Sequence, residues 1–337
     1  IWALLITSLT TSTIITMSSH HWLTAWLGLE LNTLSILPII IKSHHPRATE
    51  AATKYFLIQA TAAALILFAS TFNAWQTGNW SIMHTSPHMT TIITIALLLK
   101  LGLAPLHAWY PEVLQGSTMN TALIISTWQK LAPLTLLCLI NNNLPPNTIL
   151  LLGFSSALIG GWMGLNQTQT RKIMALSSIS HMGWLIITLN LNSHLTMMTM
   201  VVYIIMTTAM FMSLNITMTK TVTQLGVTWT QSPLLITTMM ITLMSLGGLP
   251  PLTGFIPKWL ILNSLCNMEL LLLGLGLAMT SLPSLFFYIR LAYFTTLTAP
   301  PNTTNTQYKW RFKTRPTPGL MLTIMLTMLL LPLTYAT

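Results

Sequence analysis

The chain has 337 residues, of which 53% are hydrophobic and only 5% charged, and its mean hydropathy is +0.67. A soluble globular domain is roughly one quarter charged, so this composition excludes water as the main solvent and points to a bilayer. The net charge of +10 does not indicate nucleic acid, because most of the basic residues sit at the ends of apolar runs and form no single soluble face.

A membrane span needs about twenty mostly apolar residues. The first such run, 1–17, has neither a basic flank nor a small-residue cleavage site, which favours a first span over a removable signal peptide. The second, 22–41, holds Glu30 near its middle and is followed by Lys42, Arg47 and Lys54. A third run at 52–72 leads to a fourth at 89–107 that contains Lys100 and Pro105, with Glu112 beyond it. The fifth, 119–140, contains Lys130 and Pro133; the sixth, 148–166, ends before Arg171 and Lys172. In the seventh, 172–191, Ser177, Ser178, Ser180 and His181 form a polar cluster at mid-depth, and Lys220 follows the eighth, 195–217. A ninth run, 233–265, is interrupted near Pro257 and Lys258. The tenth, 267–294, carries Arg290 near its end and precedes Lys309, Arg311, Lys313 and Arg315; a final run covers 318–335.

The reading is an all-α polytopic membrane protein of about eleven spans. Loops on the cytoplasmic or matrix side collect Lys and Arg, and here those residues follow the even-numbered spans, the loop after the fourth excepted. This places the N-terminus inside and the C-terminus outside. Glu30, Lys100, Lys130 and Lys258 remain near the middle of spans, where a charge costs about 2.5–3.5 kcal/mol on insertion scales. Charges so costly predict a proton or cation path.

Proline placement agrees. A proline inside a helix removes a hydrogen bond and clashes with the carbonyl four residues back, so Pro105 loosens the backbone at Leu101, Pro133 that at Gln129, and Pro257 precedes Lys258. Residues 102–114 also match 248–260 at six of thirteen positions, at an offset of 146. Five spans separate the two stretches, and an odd number reverses direction across the membrane. This pattern predicts two inverted repeats, 1–140 and 148–294, followed by a last helix, with interrupted helices marking the ion site. Ser177 and His181 share a helix face, and an imidazole titrating near neutrality is suited to bridge lysines too far apart to exchange a proton. The pairs His20–His21 and His44–His45 lie in loops with neighbouring side chains directed apart, so no metal site is read there. Cys138 and Cys266, far apart and outside any CxxC, offer neither a disulfide framework nor a thiolate cluster.

Four segments carry a resemblance: WLTAWLGLELN at 22–32, KLGLAPLH at 100–107, SSISHMG at 177–183, and GGLPPLTGF at 247–255 with Lys258. They resemble the chain 2 family of mitochondrial NADH-ubiquinone oxidoreductase, antiporter-like subunits of respiratory complex I. The 22 methionines, the many threonines and the lack of aspartate look like a vertebrate mitochondrially encoded product. The resemblance implies roles residue by residue. Glu30 and Lys100 would form the carboxylate–lysine pair of one half-channel, Lys130 the central connection, His181 the bridge and Lys258 the exit-side lysine. It also implies a mitochondrial inner-membrane location with the N-terminus on the matrix side and the C-terminus toward the intermembrane space. Implied partners are the other membrane-arm subunits, neighbouring antiporter-like ones included, and membrane lipids such as cardiolipin. FMN, iron-sulfur clusters, NADH oxidation and ubiquinone chemistry would belong to other subunits, with no cofactor in this chain. A free-standing cation/proton antiporter of related fold and a scaffold with a vestigial channel remain as alternative classes, although Glu30 is the one carboxylate at depth.

Overall fold

The computed structural model describes residues 2–230, 232–297 and 319–329. Among these the chain is helical, apart from two isolated bridges. It divides into two compact units, residues 1–156 and 157–337. The division falls inside one helix, α8.

Unit 1 contains α1 (Trp2–Met17), α2 (Trp22–Ile41), α3 (Pro46–Thr77), α4 (Pro87–Leu101), α5 (Trp109–Gly116), α6 (Met119–Ser126), a 3-10 turn (Trp128–Lys130), α7 (Leu131–Leu139) and the start of α8 (Pro146–Gly164). The α2 helix packs on α1 where Gly28 meets Thr16, and α3 packs on α2, α4 and α5. Two starts use an unexpected cap. The Nδ1 atoms of His21 and His45 accept hydrogen bonds from the backbone N–H groups of Leu23 and Arg47, satisfying orphan donors at the heads of α2 and α3. Further on, the Asn73 side chain donates to the His84 carbonyl and accepts from the Ser86 N–H, tying down the loop between α3 and α4.

Unit 2 continues α8 and adds α9 (Thr170–Leu191), α10 (Ser193–Thr217), the short α11 (Val222–Val227), α12 (Pro233–Gly247), α13 (Phe255–Asn267), α14 (Leu271–Leu297) and α15 (Leu320–Leu329). Side chains on α9 are buried along almost its whole length, whereas α14 presents exposed Leu272, Leu275 and Phe286. A capping box of Thr221 and Gln224 starts α11.

Among the described residues, seven helical stretches are long and apolar enough to cross a bilayer, while α1, α4 and α12 are shorter apolar helices. Leu151, Trp162 and Trp75 project from the surface, while Asn32, Gln59, Asn73 and Gln129 lie wholly or partly inside. Apolar outside and polar inside is the arrangement a hydrocarbon solvent selects.

The offset seen in sequence reappears in the elements. Both α4 and α12 begin with a proline at the first helical position, where its missing N–H costs nothing. They stop 146 residues apart at left-handed glycines, Gly102 with φ 72° and Gly248 with φ 83°, a conformation that glycine adopts without a Cβ penalty. A seven-residue irregular segment then leads to α5 at Trp109 and to α13 at Phe255, the same offset again. The residue before the second helix of each unit also pairs with the loop after the third: His21 with Ser81, and Gln169 with Thr221.

Several expected spans are refined. The fourth helix ends at Leu101, six residues early, because Gly102 turns the backbone left-handed. The fifth is broken into α6 and α7 by the 3-10 turn at Trp128–Lys130, next to the backbone that Pro133 was expected to loosen. The α3 helix is longer than the apolar run, and α11 was not anticipated. The basic segment Lys309 to Arg315 and parts of the final run lie outside the described residues.

Candidate functional site

In unit 1, Lys100 sits in the last turn of α4 and Lys130 ends the 3-10 turn; both are buried, at 7% and 2% exposure. They line one internal cavity of about 10 Å³, together with Asn32, Tyr55, Gln59, Tyr110 and Gln129 among others. That volume is about enough for one water's centre, and the lining supplies the polar partners such a water needs. The ammonium of Lys100 donates to the backbone carbonyl of Gln59, at 3.5 Å. The Lys130 ammonium lies 4.9 Å from the ring centroid of Tyr110, within cation–π range. Above the 3-10 turn, the Gln129 side-chain amide donates to Asn32 Oδ1 at 3.0 Å, joining α2 to the break that holds Lys130.

Glu30 is placed differently from its expected partner contact. Its carboxylate forms neither of the ion pairs described in this unit, and Oε2 is buried with no hydrogen-bond partner. Between α2 and α4 stands α3, whose Tyr55 and Gln59 lie one turn apart and line the lysine cavity. The ion pairs described in the unit are elsewhere, where Lys54 bridges Glu50 and Glu112 and ties the head of α3 to α5. This supplies the basic partner that the loop near Glu112 lacks in sequence.

In unit 2, His181 on α9 and Lys258 on α13 line a second cavity, of about 20 Å³, with Tyr203, Thr199, Trp184 and Gly254. Lys258 reaches back across the break and donates to the Gly247 carbonyl at 2.8 Å, capping the end of α12. A cation at that end also suits the negative pole of the helix dipole. The irregular segment presses so closely on α12 that a Cβ at Gly254 would lie 1.8 Å from the Ser245 carbonyl oxygen. His181 Nε2 meets the Tyr288 hydroxyl at 3.3 Å, and its ring lies 5.9 Å from that of Tyr203. The neighbouring serines are occupied by their own helix: Ser177, Ser178 and Ser180 each donate to the carbonyl three residues back.

The arrangement brings four of the five expected residues into two pairs, each around a water-sized cavity. Among the described residues no three His, Cys, Asp or Glu side chains gather, and neither Cys138 nor Cys266 is in a disulfide. Sequence reading missed Tyr55, Gln59, Asn32, Gln129, Tyr203 and Tyr288. Their signal was weak, consisting of amides and phenols inside apolar runs, without the formal charge that makes a buried lysine conspicuous.

Comparison with known proteins places these features. Residues 19–284 match the family model described as NADH:quinone oxidoreductase/Mrp antiporter, TM, and residues 285–337 match NADH dehydrogenase subunit 2 C-terminus. NADH-ubiquinone oxidoreductase chain 2 of Coturnix japonica is 54% identical over 330 residues, covering 97% of this chain and 95% of its own. The same-named chain of Carassius auratus is 53% identical over 335 residues, covering 99% and 96%. A chain of respiratory complex I from Thermus thermophilus superposes with a TM-score of 0.86 at 25% identity, over 97% of this chain and 77% of that one. A chain of the Mrp complex from Dietzia shares the fold, with a TM-score of 0.77 at 16% identity, over 85% of this chain and 59% of that one. With buried lysines beside broken helices and near-full-length relatives at this identity, the chain belongs to the NADH-ubiquinone oxidoreductase chain 2 family, antiporter-like membrane subunits of the proton-translocating complex I.

Proposed function

We propose that this chain moves protons within complex I along a path made of Glu30, Lys100, Lys130, His181 and Lys258. The observation that carries the reading is the pairing of Lys100 with Lys130, and of His181 with Lys258, around cavities large enough for about one water. Such a water gives each pair a hydrogen-bonded bridge for proton exchange.

Glu30 acts as the switch. Two unit charges at 4 Å interact by about 4 kcal/mol at an effective dielectric near 20, so a carboxylate moving into contact with Lys100 stabilises the ammonium, and its withdrawal favours proton release. Its unsatisfied oxygen and lack of an ion pair match the withdrawn position. In this reading the chain performs no redox chemistry; FMN, the iron-sulfur clusters and the quinone site belong to other subunits. Residues 1–140 and 148–294 act as inverted repeats, which the shared offset of 146 between α4 and α12 supports. The matching lysines are not equivalent, since Lys100 precedes its break and Lys258 follows its own. The subunit lies in the mitochondrial inner membrane, N-terminus toward the matrix and C-terminus toward the intermembrane space. Its exposed Leu and Trp side chains contact neighbouring antiporter-like subunits and lipid, cardiolipin included.

Proton pumping coupled to NADH oxidation, measured in vesicles with assembled complex carrying Glu30→Gln, Lys100→Ala or both, tests the path. Each single change lowers pumping, and the double change is far less than additive because the two groups act as one unit. Full pumping and turnover in both assembled single variants would overturn it.

A further inference from the structure

The Tyr288 hydroxyl has no place in the path above, yet it is the group that His181 Nε2 meets, at 3.3 Å. Tyr288 is on α14, 1% exposed, and its ring packs beside Phe287 with centroids 4.4 Å apart. The same ring faces Gly247, whose carbonyl receives the Lys258 ammonium. The phenol therefore stands behind both members of the second cavity without lining it.

A phenol can donate its proton to Nε2 or accept an N–H from it, so in either tautomer the contact holds Nε2 against the hydroxyl and sets the orientation of the ring.

We propose that Tyr288 is a positioning residue for proton transfer, whose hydroxyl orients His181 beside the cavity shared with Lys258. The inference rests on the assignment of His181 to the proton path. Burial of the phenol among packed helices makes the contact reproducible from turnover to turnover, which a free rotor would not be.

The test uses assembled complex in vesicles, with proton pumping per NADH oxidised as the readout for Tyr288→Phe, His181→Gln and the double variant. Removing one hydrogen bond is expected to lower pumping about three- to tenfold in Tyr288→Phe, with no additional loss when His181→Gln is already present. A role in packing alone gives additive losses instead, and that result overturns the proposal. Tyr288→Gln, which keeps a donor and an acceptor but loses the ring, adds a second check. Hydrogen bonding predicts that it pumps better than Tyr288→Phe, whereas packing predicts the reverse, and this variant carries the test if the Phe variant fails to assemble. Impaired pumping in His181→Gln beside normal pumping in Tyr288→Phe removes this inference alone. Normal pumping in His181→Gln removes the assignment of His181 itself.

Discussion

Lys100 and Lys258 keep their ammonium groups in low-dielectric surroundings by donating to backbone carbonyls, those of Gln59 and Gly247. A carbonyl tolerates either protonation state of its donor, since loss of the proton leaves no anion stranded. Lys54 is the contrast: two carboxylates hold it at the exposed head of α3, where fixing charge ties two helices and moves nothing. The amide pair of Gln129 and Asn32 has a related task, because it closes the lysine cavity of unit 1 with a bond that carries no charge. Asn32→Leu should leave the Gln129 amide without its partner and cost about 1–3 kcal/mol, while replacing both by leucine should cost less than the two single changes together. Thermal unfolding of assembled complex gives the stability ranking, and equal, additive losses would contradict it. The sequence exposed the lysines through the insertion cost of a charge, but not these amides, because a lone Asn or Gln in an apolar run is inexpensive enough to pass as packing. Nor could sequence show that Glu30 stands clear of contact with Lys100, since that depends on how α3 is seated between α2 and α4.

At the scale of elements, the breaks after α4 and α12 combine a left-handed glycine, a seven-residue irregular segment and a helix restart. The repeated Gly-Leu and the prolines made the breaks legible. Their extension to whole helices was hidden, because apolar residues exchange freely within a span. Likewise α11, too short to cross a membrane, leaves no mark in a pattern of long apolar runs, although Thr221 and Gln224 form the spacing of a capping box. His21 and His45 gave no warning as caps, since histidine is not among the residues that favour that position. The tightest point of the second break is Gly254. Gly254→Ala would bring Cβ to 1.8 Å from the Ser245 oxygen, backbone against side chain with nowhere to yield. That variant should fail to accumulate in assembled complex on a native gel. Gly274→Ala, whose Cβ meets only Leu262 and Leu265 at 3.9 and 4.0 Å, should assemble normally. Comparable assembly of the two would show that the break relaxes more easily than its packing implies.

For the molecule as a whole, composition was sufficient to read a membrane protein, and the family followed from four motifs, two of them at the breaks. Span number was harder to read, because α4 with 15 residues rises only about 22 Å, short of the roughly 30 Å hydrocarbon core, so a crossing there needs the irregular segment as well. Orientation rests on charge. Lys42, Arg47, Lys54, Arg171, Lys172 and Lys220 fall at the same set of alternating ends, and Lys309, Arg311, Lys313 and Arg315 continue the series. Loops that retain Lys and Arg are those not translocated, and four basic residues within seven positions form the group hardest to carry across. The segment from Lys309 to Arg315 should therefore face the matrix. A trypsin-type protease cleaving after Lys and Arg should cut there in inverted inner-membrane vesicles and leave the segment intact in right-side-out preparations, with peptide mapping to locate the cut. Cleavage confined to right-side-out preparations would reverse the orientation of every helix.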